Sequence, residues 1–249
     1  MNVRKQSLEI TVASQAVEAY LYAPEGQPGS GLLLLTDIKG IRPVYHEQAE
    51  RLAREGFTVL LPNVFFRGGR LPLFPFPFQS GEDRTMKRMQ ELFASLTPEN
   101  QMADAPIYAN FLASRAEVRQ GALGVVGYCF TGAMALRTAA ACSDRFLAAA
   151  SFHGGNLVTG EPSSPHRLLP KIRAALHFGH AVQDKSMPAQ AIQELGAALS
   201  AWGGSFVNKT YEGALHGWTN HDSPIYDREQ AEAAFSELVA FLRARLGST

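Results

Sequence analysis

The chain has 249 residues, 46% of them hydrophobic and 18% charged, with Lys+Arg and Asp+Glu equal at 23 each. That size suits one undivided α/β domain spanning residues 1–249, and the composition excludes a disordered chain. Balanced charge gives no basis for binding nucleic acid or an anionic membrane. The N-terminus lacks the apolar core of a signal peptide, and no run nears the ~18 apolar residues that cross a bilayer, so a cytoplasmic protein is expected.

Leu8–Val12 and Val17–Tyr22 alternate apolar and polar residues and read as an edge hairpin turning at Ser14-Gln15. Gly31–Thr36 is apolar enough for a strand buried on both faces, and a loop runs from Asp37 to Pro43. A helix over Val44–Arg54 closes at Gly56 and leads into a second buried strand, Phe57–Pro62. The segment Asn63–Ser80 is irregular; within it Leu71-Pro-Leu-Phe-Pro-Phe-Pro-Phe78 is locked by prolines against helix or central strand. Helices are expected over Glu82–Ser95, Glu99–Arg115, Pro188–Trp202 and Ser223–Leu246. Further strands are expected at Phe146–Phe152, Ala174–Phe178 and Ser205–Tyr211. Alternation of strands and helices implies a mostly parallel, doubly wound sheet of about eight strands, with reactive groups in loops beyond the strands' carboxyl ends.

The most informative stretch is Leu123–Ala141. It starts as a valine-containing strand, ends as an alanine-rich helix, and turns sharply through Gly127-Tyr-Cys-Phe-Thr-Gly132. Such a turn lifts its central side chain off the sheet and places it beside the free N–H groups of a helix start, which favours a thiolate. Cys129 is therefore the candidate nucleophile, against the alternative of a small core residue. The second cysteine, Cys142, lies thirteen positions further on. At ~1.5 Å per helical residue that is about 20 Å, beyond the ~7 Å a disulfide allows, so Cys142 is expected to pack as a free thiol.

Acyl transfer also needs an imidazole base, a carboxylate to hold it, and donors for the oxyanion. Asp184 follows the Ala174–Phe178 strand and His216 follows the Ser205–Tyr211 strand. Asp184 also has the position of a helix cap, and an isolated loop histidine is commonly just a surface residue. The chain order nucleophile, acid, histidine is nevertheless that of the α/β-hydrolases. His153 and His180 also follow predicted strands and are further candidates for the pocket wall. No histidine has zinc-ligand spacing and no phosphate-binding glycine loop occurs, so neither metal nor nucleotide cofactor is expected.

Four motifs together resemble the dienelactone hydrolase family: Thr36-Asp-Ile-Lys-Gly40, Gly127-Tyr-Cys-Phe-Thr-Gly132, the Gly179–Pro188 loop with Asp184, and Leu215-His-Gly-Trp218. The resemblance runs from Gly31 to Leu246 and implies an α/β-hydrolase fold with Cys129 as nucleophile, His216 as base and Asp184 orienting it. It places the oxyanion between the N–H groups of Phe130 and Ile38, and assigns thiol activation to Asp37, where the family usually has glutamate. Thr131 stands where the family has glycine, which implies a more crowded turn. Of the arginines that grip a substrate carboxylate in the family, one position is occupied here by Asn220; Arg84 is the expected source of the other, ahead of Arg67 and Arg70. Tyr128, Trp218 and His153 complete the expected substrate wall, with Phe74–Phe78 as a possible apolar side.

The implied partner is a small ester or lactone, cleaved through a thioester by a monomer or small homo-oligomer. Alternatives are a broader carboxylesterase or thioesterase for a larger apolar acyl group, and a non-catalytic scaffold that binds a small molecule or senses redox state through Cys129.

Overall fold

The computed structural model describes residues 1–247. Its eight strands are β1 (Val3–Val12), β2 (Gln15–Pro24), β3 (Ser30–Leu35), β4 (Phe57–Pro62), β5 (Leu123–Tyr128), β6 (Phe146–Phe152), β7 (Ala175–Gln183) and β8 (Phe206–Leu215). The helices are α1 (Pro43–Arg54), α2 (Asp83–Ser95), α3 (Pro98–Ala113), α4 (Phe130–Ala141), α5 (Ala189–Trp202) and α6 (Arg228–Leu246). One sheet runs in the order β1-β2-β4-β3-β5-β6-β7-β8, antiparallel at the β1-β2-β4 end and parallel from β4 to β8.

The central strands read as continuous apolar runs because helices cover both faces. In β3, Leu33 and Leu35 join the core shared with α3, α4 and α5, whereas Leu32 and Leu34 join the core under α1 and α6. The period-2 alternation of a strand thus feeds two hydrophobic layers from one leucine run.

Several boundaries differ from the sequence reading, and β8 runs on to Leu215 instead of ending at Tyr211. The hairpin turns at Ala13-Ser14, both at positive φ (48° and 63°), and Val12 pairs with Gln15. A two-residue loop with both residues left-handed matches the strand twist. α6 begins five residues late, at Arg228, because Asp227 caps it by accepting from Gln230 N at 3.1 Å. β7 continues through Gly179 and His180 to Gln183. Gly179 lets it do so: a Cβ there would stand 2.6 Å from the Phe152 ring and 2.9 Å from that of Tyr211. These extensions bring Asp184 and His216 immediately past the carboxyl ends of β7 and β8. Asp37 and Ile38 follow β3, Cys129 follows β5 and His153 follows β6, so all five connections open at one end of the sheet.

Candidate active site

Cys129 is the single residue between β5 and α4, at φ 58° and ψ −124°. A non-glycine side chain in that region is strained, and the surroundings hold it there. Cys129 N donates to Phe152 O (3.1 Å), while Gly132 N and Gly155 N donate to Cys129 O (3.0 and 3.3 Å). The two glycines of the turn permit close approach: a Cβ on Gly127 would lie 2.1 Å from Thr131 O, and one on Gly132 2.4 Å from Ser151 Oγ. Thr131, where the family has glycine, is fully buried in the turn. Its buried hydroxyl accepts from Tyr128 N (3.0 Å) and lies within donating distance of Leu35 O (3.2 Å) and Tyr128 O (3.0 Å), tying the turn to β3.

The three far-separated candidates meet. His216 Nε2 is 3.1 Å from Cys129 Sγ, and His216 Nδ1 is 2.6 Å from Asp184 Oδ2. The other Asp184 oxygen accepts from Ser186 N (2.8 Å) and Ser186 Oγ (2.6 Å), which fixes the carboxylate. Burial works against charge on His216, but the bonds to Asp184 and Cys129 outweigh it and the imidazole is pushed up to about 10. Burial likewise opposes ionisation of Asp184, yet its bonds to His216 and Ser186 hold the carboxyl below its ordinary range. Cys129 is partly accessible, whereas Cys142 is a buried free thiol in the core.

The two backbone N–H groups that the resemblance assigns to the oxyanion both follow strands of the sheet, Ile38 after β3 and Phe130 after β5. Phe130 N opens α4, where a helix has no internal acceptor for it. Neither has a hydrogen-bond partner among the described residues.

Cys129, His216, Ile38, Asp37, Asn220 and His153 all border a cavity of about 760 Å³. Phe74, Phe76, Phe78 and Met89 form its apolar side, so the proline-locked segment is a wall of the site. Several other expected residues lie elsewhere. Tyr128 is buried on the opposite face of the sheet, with its hydroxyl accepting from Gln48 Nε2 at 2.6 Å; it directly precedes Cys129, and neighbours in a strand point to opposite faces. Trp218 is fully buried against Tyr211 and His153, because Gly217 (φ 97°) redirects the chain after His216. It supports the wall rather than forming it. Arg84 is 56% exposed, pairs with Glu82 and stacks on the outside of Phe76. Arg67 is bound by Asp104 and Arg70 is exposed. His180 lies within β7 bonded to Asn208, away from the cavity. His153 does reach it: Nε2 is 2.9 Å from Thr219 Oγ1, its ring meets His216 edge-on at 5.3 Å, and burial keeps it neutral by lowering its proton affinity strongly.

Asp37 is also differently placed from the expectation of thiol activation. Its Oδ1 accepts from Lys39 N (2.9 Å) and Arg42 Nη1 (2.7 Å), and its Oδ2 from Arg42 Nη2 (2.8 Å) and Asn220 Nδ2 (3.0 Å). The carboxylate is saturated by these donors, and Cys129 is bonded by His216 instead. Arg42 additionally donates from Nε to Asp222 Oδ2 (2.5 Å), so one guanidinium clamps the loop after β3 to the loop after β8. Nothing in residue spacing announces this clamp, since Arg42 and Asp222 are 180 positions apart.

Among the described residues no group of three or more His, Cys, Asp or Glu is arranged to hold a metal, and no helix is long and apolar enough to cross a membrane.

A mostly parallel sheet with a sharp cysteine-bearing turn after β5, an aspartate after β7 and a histidine after β8 has the plan of the α/β-hydrolase class. Within it, residues 17–246 match the model of the dienelactone hydrolase family. The chain belongs to that family and is a hydrolase of the ester- and lactone-cleaving kind. It is similar to a carboxymethylenebutenolidase of Rhodococcus opacus, at 28% identity over 79% of this chain and 73% of the relative. A carboxymethylenebutenolidase of Pseudomonas sp. strain P51 is 25% identical over 90% and 89% of the two chains. Among solved structures, a Klebsiella pneumoniae protein provisionally assigned as a dienelactone hydrolase superimposes with a TM-score of 0.84, covering 97% of this chain and 98% of its own at 19% identity. A dienelactone hydrolase-like promiscuous phosphotriesterase from metagenomic libraries gives 0.80 at 18% identity, covering 98% and 99% of the two chains.

Proposed function

We propose that this chain hydrolyses a carboxylic ester or lactone through a thioester on Cys129, with His216 and Asp184 completing a catalytic triad. The observation that carries the reading is the unbroken chain Cys129 Sγ–His216–Asp184 at 3.1 and 2.6 Å, beside two uncommitted backbone N–H groups.

The raised affinity of His216 for a proton suits it to take the proton that Cys129 gives up in forming the attacking thiolate. The thiolate attacks the carbonyl carbon, and the N–H groups of Ile38 and Phe130 bind the oxyanion. Each such donor typically contributes ~10²–10³ in rate. The tetrahedral adduct collapses with loss of the alkoxide, which takes the His216 proton; in a lactone it stays tethered as the opened hydroxyl. His216, now neutral, removes a proton from water as that water attacks the thioester. The carboxylic acid departs and the thiolate and imidazolium are restored. Thiol activation in this scheme rests on His216, because Asp37 is committed to Arg42.

In Cys129→Ala, hydrolysis of p-nitrophenyl acetate should fall to the uncatalysed background; retained turnover would remove Cys129 from the mechanism. A redox or binding role for the thiol makes no use of Asp184, so Asp184→Asn discriminates: a ~10²–10⁴-fold loss of kcat is expected for an orienting carboxylate.

A further inference from the structure

The cavity beside Cys129 has an unusual balance of charge. Apart from the Cys129–His216 pair, its charged lining residues are Asp37, Lys39, Arg42 and Asp222. They cancel within hydrogen-bond distance: Arg42 holds Asp37 at 2.7 Å and Asp222 at 2.5 Å, and Lys39 Nζ reaches Asp222 at 3.5 Å. Two cations meet two carboxylates, and among the described residues no uncompensated cation borders the cavity. Asn220, whose amide donates to Asp37 and Tyr45, adds none.

The opposite side is apolar by construction. Pro75 and Pro77 interleave Phe74, Phe76 and Phe78 and prevent the segment from folding into helix or ladder. The rings consequently pack edge-on against one another, Phe74 to Phe76 at 5.9 Å and Phe74 to Phe78 at 5.1 Å, and still border the cavity. Phe78 remains 36% exposed, and a partly exposed aromatic wall of this kind is a feature of ligand sites.

We infer that the substrate is an uncharged ester or lactone whose bulky apolar portion lies on the Phe74–Phe76–Phe78 wall, and that the Arg42–Asp222–Lys39 network excludes substrates bearing a carboxylate. This rests on the hydrolase reading of Cys129 and narrows it to a substrate class. An anionic substrate would either bring an unpaired charge into a cavity already neutral or have to break an existing ion pair.

The test compares p-nitrophenyl hexanoate with the mono-p-nitrophenyl ester of adipic acid, which share a leaving group and an acyl length and differ in a terminal carboxylate. The wild-type protein should show a kcat/KM at least tenfold higher for the hexanoate; any smaller ratio overturns the inference. In Asp222→Asn, Lys39 and one side of Arg42 lose their carboxylate, and the ratio should narrow at least threefold. A ratio that stays within threefold of wild type would overturn the role of the network. Phe76→Ala should raise KM for the hexanoate more than for p-nitrophenyl acetate, and equal effects would remove the wall from substrate binding. Comparable rapid turnover of both long esters refutes the selectivity alone, whereas turnover of neither, nor of the acetate, refutes the hydrolase reading beneath it.

Discussion

Replacing Arg42 by methionine tests the clamp that joins the two loops of the site. Asp37 is 6% exposed, and two of its four hydrogen bonds come from the Arg42 fork. Methionine matches much of the stem but leaves the buried carboxylate without its counter-charge. Removing one partner of a buried pair typically costs about 3–5 kcal/mol, mainly through the charge left behind. For a chain of this size 1 kcal/mol shifts Tm by about 2–4 °C, so a fall of roughly 6–20 °C is expected by differential scanning calorimetry. The double substitution Asp37→Asn with Arg42→Met removes the stranded charge and should recover part of that fall, as interacting neighbours do in a mutant cycle. Because Ile38 follows Asp37 directly, both variants should also lose kcat on p-nitrophenyl acetate. A Tm for Arg42→Met within about 2 °C of wild type, or a double variant no better than the single one, would refute the reasoning.

The folded-state proton affinity of His216 is raised to about 10, so the pair with Asp184 stabilises the fold fully below the ordinary histidine value of 6.5 and loses that contribution as pH rises towards 10. The Tm advantage of wild type over His216→Gln should therefore shrink between pH 6.5 and pH 10, and a constant or growing gap would contradict the assignment. For Asp184, held below its ordinary 3.8, the sign is opposite: its contribution is present above that value and fades as the solution is acidified through the lower folded one. In Gly132→Ala the new methyl would meet Ser151 Oγ at 2.4 Å and Gly154 Cα at 2.7 Å. Overpacking against backbone should cost about 1–3 kcal/mol in a denaturant titration, and an unchanged midpoint would show that the turn has room. Thr131→Val removes the acceptor for Tyr128 N, for an expected loss of about 1–3 kcal/mol, while Thr131→Ser should retain stability; equal stability of the two would deny the hydroxyl its role.

The parts of the fold legible from sequence were those set by local periodicity. The leucines of β3 and the valines of β5 announced doubly covered strands, and the glycine-flanked cysteine announced the sharp turn into α4. Asp184 and His216 were recognisable because each follows a strand in the order hydrolases use, although the strands proved longer than their apolar runs. Side-chain direction was harder to read. Tyr128 sits beside the nucleophile in the chain but across the sheet from it, and Trp218 is turned into the core by a left-handed glycine. The largest departure, Asp37, depends on a partner that spacing does not reveal: only the folded chain brings Arg42 between Asp37 and Asp222. Charge networks that link distant loops leave no periodic trace, and it is such a network that holds the Asp37 carboxylate.

Formation of a thioester on Cys129 is tested most directly by acid-quenching wild-type protein during steady-state turnover of p-nitrophenyl acetate, followed by peptide mapping by mass spectrometry. The mechanism predicts one acetyl group on the peptide carrying Cys129, removable by neutral hydroxylamine as a thioester is. Continued turnover with Cys129 unlabelled, or an acetyl group on a different side chain, would contradict it.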